Sequence, residues 1–196
     1  MKTVLATLTL AFFLAPPQTF APDADGFIRN WLVLAPIAIE GESGATAIDQ
    51  PLLDNEASLK PKPGDTVVVG STPFTWKALQ TSDYLVDFLK EFPARGEYVA
   101  AYAVAYITAD EDMKVTLALG TNDQGKAWLN GNQIFKFADT RVLEKDADRV
   151  DVSLVKGQNI LMLKVVNEVN NWQACARFLR DGAPVKNLKI AVQESK

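Results

Sequence analysis

Residues 97–108 read EYVAAYAVAYIT. In an extended chain, Tyr98, Ala100, Tyr102, Val104 and Tyr106 fall on one face. Val99, Ala101, Ala103, Ala105 and Ile107 fall on the other. Both faces are apolar, which predicts a strand covered on two sides, at the centre of a sheet.

The segments that follow carry the same signal in shorter pieces. Lys114–Leu119 alternates with Val115, Leu117 and Leu119 on one side. Asn130-Gly131 is a two-residue hairpin turn, since both positions accept positive φ; Lys126–Leu129 and Gln133–Phe137 flank it. Val150, Val152 and Leu154 alternate in 149–154. After a turn at 156–159 comes the apolar strand 160–166, then a turn at Asn170-Asn171 and a returning strand from Trp172 to Leu179. Leu188–Val192 adds a last edge strand.

Working back towards the N-terminus, Phe27–Leu34 is a strand stopped by Pro36. Residues 40–65 form a long loop with at most a short strand near Leu52-Leu53. Thr66–Val69 and Phe74–Ala78 form strands around a turn. Residues 82–92 fit either a capped helix or a strand at Tyr84–Val86 followed by one helical turn. Many short strands with frequent turns predict an all-β sandwich or barrel with at most one or two short helices.

Several of these segments form a recognisable set: Ala101-Tyr102-Ala103, then Leu117 to Gly131 with Trp128-Leu129-Asn130-Gly131, Arg141 in the next loop, Gly157 and Asn159 before Leu161, Lys164-Val165 and Asn167, and Trp172 with Arg177-Phe178. This set resembles the galactose-binding-domain-like jelly roll, close to the sugar-binding domain at the front of family-two glycoside hydrolases. Trp31-Leu32-Val33-Leu34-Ala35-Pro36 is similar to the opening of many secreted bacterial proteins with this module, with Ala35 in place of the usual glycine. The resemblance covers about residues 27–180. It implies a jelly-roll β-sandwich and, together with the export signal and the lack of histidine described below, an exported, non-catalytic carbohydrate-binding protein. A structural or protein-interaction role on the same fold is the alternative, since the fold hosts both. A second resemblance, to the protective-antigen-type module, sets Asn122 and Asp123 where paired aspartates hold a sugar-binding calcium in the adhesin members of that family; here the first carboxylate is missing.

Each candidate residue has two readings. Asn122 and Asp123, with Gln124, offer oxygens for calcium or for sugar hydroxyls, or close a turn through side-chain bonds to the backbone. Asp123 is the candidate metal ligand and calcium the candidate cofactor. Trp76, Trp128 and Trp172 offer flat faces for a sugar ring or fill the core. Trp172 stands out among them because it follows a turn, and Trp31 reads as core. Arg141 and Arg177 offer bidentate donors to a ligand or form ion pairs. Cys175 reads as a small buried hydrophobe.

Composition narrows the function further. The chain has 196 residues, 20 basic and 24 acidic, with no histidine and one cysteine. A formal charge of −4 without a basic cluster argues against nucleic acid and anionic membranes as partners. Without histidine, Ser-His-Asp and Cys-His catalysis have no base. A carboxylate-based glycoside hydrolase is the catalytic alternative. Lys2 followed by the apolar run Val4–Leu14 reads as an export signal cut after Ala21, with small residues at Thr19 and Ala21. That run is too short to span a bilayer, which takes about 20 apolar residues. The expected organisation is a leader over 1–21 and one domain over 22–196. The expected location is periplasmic, secreted or at the cell surface, without membrane insertion. The expected partner is a glycan or a protein.

Overall fold

The computed structural model describes residues 17–39, 43–93 and 96–195; the apolar run of the expected leader lies outside them. The long strand anticipated at 97–108 is β6 (Val99–Ala109), following β1 (Asn30–Ala38), β2 (Thr66–Val69), β3 (Thr72–Thr75), β4 (Lys77–Gln80) and β5 (Val86–Asp87). After it come β7 (Met113–Asn122), β8 (Gln124–Leu129), β9 (Asn132–Phe137), β10 (Asp148–Leu154), β11 (Gly157–Asn167), β12 (Gln173–Arg180), β13 (Ala183–Pro184) and β14 (Lys189–Ala191). The helices are single turns, α1 (Gly44–Ala47) and α2 (Phe88–Glu91).

Two sheets carry the fold. One has seven strands in the order β4-β1-β6-β11-β8-β9, with β14 also on β6; the other runs β10-β7-β12-β13, with β5 also on β12. Strands β5 to β12 therefore divide into β5-β12-β7-β10 facing β6-β11-β8-β9. All pairings are antiparallel, and this is the eight-strand jelly roll. Between the sheets lies one core that includes Trp31, Phe88, Ala101, Ala103, Leu117, Leu163, Trp172 and Phe178. The two-sided apolar pattern of β6 is explained by a second layer: residues 43–65 run as a strap across the outer face of the seven-stranded sheet. Leu53, with Leu52, Ala57 and Leu59, packs there on Leu32, Leu34, Tyr102, Tyr106, Trp128 and Met162.

The structure revises one local reading and decides two that the sequence leaves open. β1 continues through Pro36, because its pairing with β6 shifts register between Leu34 and Ile37 and leaves room for a residue without an N–H. Leu52-Leu53 forms no strand; these leucines are anchors of the strap. Residues 82–92 are the two-residue strand β5 followed by one turn of helix, whose Asp87 carboxylate accepts from the Lys90 amide at 3.2 Å. At Asn130-Gly131 both φ values are positive, 51° and 82°, as the hairpin requires.

The most recognisable motif residues turn out to be structural. Asn130 Nδ2 donates to Asn159 Oδ1 at 2.9 Å, and Ile160 N donates to Asn130 Oδ1 at 2.8 Å. Asn159 also closes its own turn, accepting from Val155 N at 3.0 Å and donating to Val155 O at 2.8 Å. The two asparagines staple the β8–β9 hairpin to the β10–β11 connection, which crosses between the sheets, at one pole of the sandwich.

Candidate functional site

The opposite pole is where the sequence candidates converge. Here β7 ends at Asn122, β8 begins at Gln124, and β12 starts beside them with Gln173 paired to Asn122. Asp123 sits between, only 7% exposed. Its Oδ1 accepts from Arg141 N at 3.2 Å and its Oδ2 from Glu168 N at 3.1 Å. One carboxylate thus clips the β9–β10 loop to the β11–β12 turn. Burial pushes the acid's pKa up, partly countered by the two amides.

Arg141 braces the same corner. Its Nε donates to Thr121 O at 3.0 Å, its Nη2 to Thr121 Oγ1 at 2.8 Å and to Asp148 Oδ2 at 2.6 Å. Its guanidinium lies 3.9 Å from the Phe137 ring centroid. Arg177 anchors the far part of the β9–β10 loop. It holds Asp146 through two hydrogen bonds, at 2.9 and 2.5 Å, and reaches Asp25 O at 2.8 Å. That pairing with Asp146 also raises the pKa of the guanidinium. The loop crosses β7 so closely that a Cβ on Gly120 would collide with the Glu144 carbonyl. Beneath it lies Cys175, 1% exposed, its thiol pushed up to about 11 by burial.

Glu168 extends the network to the strap. Its Oε1 accepts from Gly44 N and from Gln124 Nε2, both at 3.0 Å. Gln124 is fully buried and its Oε1 has no partner among the described residues.

The candidate tryptophans are all enclosed. Trp172 is 0% exposed, donates from its indole to Val165 O at 3.2 Å and packs on Phe88 with centroids 4.9 Å apart. It is the floor beneath this pole, with no ring face open to solvent. Trp76 and Trp128 are 4% and 5% exposed and lie in the layer under the strap, away from the Asp123 corner. The structure thus brings Asn122, Asp123, Arg141 and Trp172 to one pole, with Arg177 on its flank, and separates Trp76 and Trp128 from them. Asp123 has both oxygens committed to amides. Among the described residues, no three of His, Cys, Asp and Glu are grouped so that they could hold a metal ion.

One residue that the sequence reading passed over stands out at this pole. Tyr98 is 48% exposed, the one aromatic among the large hydrophobic residues exposed in the described chain. Its φ is +50°, a left-handed conformation that costs energy for a residue with a side chain. Two backbone bonds hold it there: Tyr98 N donates to Glu168 O at 2.9 Å and Ile39 N donates to Tyr98 O at 3.0 Å. Val142 and Val169 follow the two residues clipped by Asp123 and are 69% and 42% exposed. Asn170 and Asn171 next to Val169 are exposed as well. The alternation of β6 placed Tyr98 on a strand face, which hid its position just outside the strand.

Neither a protein-family model nor a curated protein sequence matches the chain. Among solved structures, it is similar to a β-glucuronidase of Faecalibacterium prausnitzii, with a TM-score of 0.41 and 14% identity. The match covers 83% of this chain and 23% of that enzyme, so the chain spans under a quarter of the enzyme's length.

Proposed function

We propose that this is an exported, non-catalytic carbohydrate-binding protein whose site is the pole organised by Asp123. The observation that carries the reading is Tyr98. An exposed aromatic held in a costly conformation offers an apolar face for the C–H side of a sugar ring. The side-chain amides of Asn170 and Asn171 stand in a neighbouring turn to meet hydroxyls. Non-catalysis is supported by the carboxylates themselves. Asp123 accepts two backbone amides, and one oxygen of Glu168 accepts two donors. Groups so engaged are poor candidates for the acid and base of glycoside hydrolysis, which must face each other across a cleft.

The test is a thermal-shift screen of the protein against neutral and acidic glycans, each with and without calcium. A ligand bound only by the folded state stabilises it by about 2.7 kcal/mol at a hundredfold over its dissociation constant. The expected result is a shift with one sugar class that Tyr98→Ala removes while the unliganded transition stays in place. A calcium-dependent shift lost in Asp123→Asn would add the metal to the site. A shift that survives Tyr98→Ala would move the site elsewhere.

A second reading has its own observation. Tyr98, Val142 and Val169 are three of the five large hydrophobic residues exposed in the described chain, and all lie on loops of this pole. Such a grouping also suits a protein partner. Absence of any glycan response, with Val142→Asp abolishing a pull-down partner, would favour it.

A further inference from the structure

The segment just before residue 22 is built into the sheet. Phe20 N donates to Ile190 O at 2.8 Å, and Ile190 N donates to Phe20 O at 2.7 Å. Ile190 lies in β14, whose inner side pairs with Ile107 of β6, so Phe20 closes the outer side. Gln18 and Phe20 also wall a cavity of about 280 Å³ together with Asn30, Leu79, Val192 and Gln193.

The chain stays docked beyond this bridge. Pro22 is buried. Asp23 Oδ1 accepts from Asp25 N at 3.0 Å and from Phe27 N at 2.8 Å, and Phe27 forms a bridge with Arg177 of the other sheet. Residues 20–27 thus run from one sheet to the other as a continuous tie.

A cut after Ala21 falls inside this tie. It removes Phe20 and leaves the Ile190 N–H and carbonyl unpaired on a sheet edge. It also puts a new charged amine on buried Pro22, at a cost in solvation. The Ala21–Pro22 bond is a tertiary amide, and the proline ring crowds the nitrogen that must leave. Upstream, Ala15 is likewise followed by a proline. Thr9-Leu10-Ala11 has small residues three before and one before a cut, with Phe12 next. Val4–Leu10 ahead of it meets the lower end of the roughly 7–15 residues of a leader's apolar stretch. We infer, resting on the export reading, that the leader is cut on the N-terminal side of Gln18, with Ala11–Phe12 as the expected bond. Residues 18–21 then stay in the mature protein as the outer pairing of β14. Water adds across the cut bond, leaving a carboxylate on the leader and an α-amino group on the mature chain.

The experiment expresses the full chain in a bacterium and determines the N-terminus of the exported protein by intact mass and terminal sequencing. It is done for the unaltered chain and for Ala21→Leu. Ala21 is exposed, so leucine there leaves the fold in place while blocking any cut that needs a small residue at this position. Both products should start at or before Gln18 and differ only by the mass of the substitution. A start at Pro22 or beyond, or an Ala21→Leu chain that remains unprocessed beside a processed unaltered one, would overturn the inference and leave the export reading intact. An unaltered chain that keeps Met1 would overturn it too and, if that chain stays in the cytoplasm, the export reading with it.

Discussion

The outward face of the seven-stranded sheet is roofed by residues 43–65, whereas that of the five-stranded sheet is covered mainly where the 138–147 loop crosses it. Under the strap the sheet presents Tyr102, Tyr106, Trp128 and Met162, and in their midst Lys164 at 0% exposure. Its Nζ donates to the carbonyls of Ala47, at 2.8 Å, and Gln50, with Ile48 O at 3.5 Å and Glu56 Oε2 at 4.0 Å. Glu56 in turn accepts from Tyr102 Oη. Beside them Lys126 and Lys136 hold Asp49 at 3.1 and 2.5 Å and keep its carboxyl below the usual range. The strap thus docks through carbonyls and carboxylates onto cations planted in a sheet. The uncovered part of the other sheet carries exposed Lys114, Asp151 and Ser153 around an open groove of about 490 Å³. The contrast teaches that a sheet face with an apolar layer can be closed by chain of the same molecule, and that the closing chain needs polar anchors as well as leucines.

The largest expected effect is at the closed face. Trp128→Ala should lower stability by about 3–5 kcal/mol in urea unfolding, through lost burial and an unfilled cavity. Next comes Lys164→Met, which leaves the strap carbonyls without their donor. A loss of about 3 kcal/mol is expected, from orphaned groups that cost about 1–3 kcal/mol each with partial relief by water. Hydrogen exchange should show it as loosening confined to residues 43–60.

The same lysine predicts a pH profile. Burial lowers its pKa from 10.5 to about 8, so between these values the unfolded chain holds the proton that the folded chain has released. Stability should therefore rise as pH goes from about 8 towards 10.5, and that rise should vanish in Lys164→Met. Tyr102 and Tyr106 act oppositely, since burial raises both above their ordinary 10.0. Above pH 10 their unfolded forms ionise first, and stability should fall. Urea midpoints across pH 7–11 check both limbs.

A smaller effect belongs to the loop pole. Asp123→Ala removes the acceptor of two amides and should cost about 1–3 kcal/mol, with increased exchange at Arg141 and Glu168. The smallest belongs to the open face: Asp151→Ala should change stability by at most about 0.5 kcal/mol, as for most exposed positions. It removes one hydrogen bond, from Thr116 Oγ1 at 2.8 Å. A cost near that of Trp128→Ala would mean that this face too is closed, and would break the comparison.

Of the candidate site, the sequence showed membership more than role. Asn122, Asp123 and Arg141 do meet, but Asp123 faces backbone amides of two distant loops, and no local pattern announces such partners. Trp172 does follow a turn, yet β5 and α2 cover it, with Phe88 against its ring. Tyr98 escaped notice because its exposure depends on a left-handed residue just before β6.

By itself the sequence determined the sandwich. Period-two apolar runs, Asn-Gly and Gly-x-Asn turns and the doubly apolar 97–108 segment are local consequences of strand geometry, legible wherever they occur. Only the tertiary structure decided which faces remain open. Covering a face depends on segments far apart in the chain, such as Lys164 under residues 47–56 and Glu144 over Gly120. Contacts between such segments follow from the packing of the whole chain, and no local pattern encodes them.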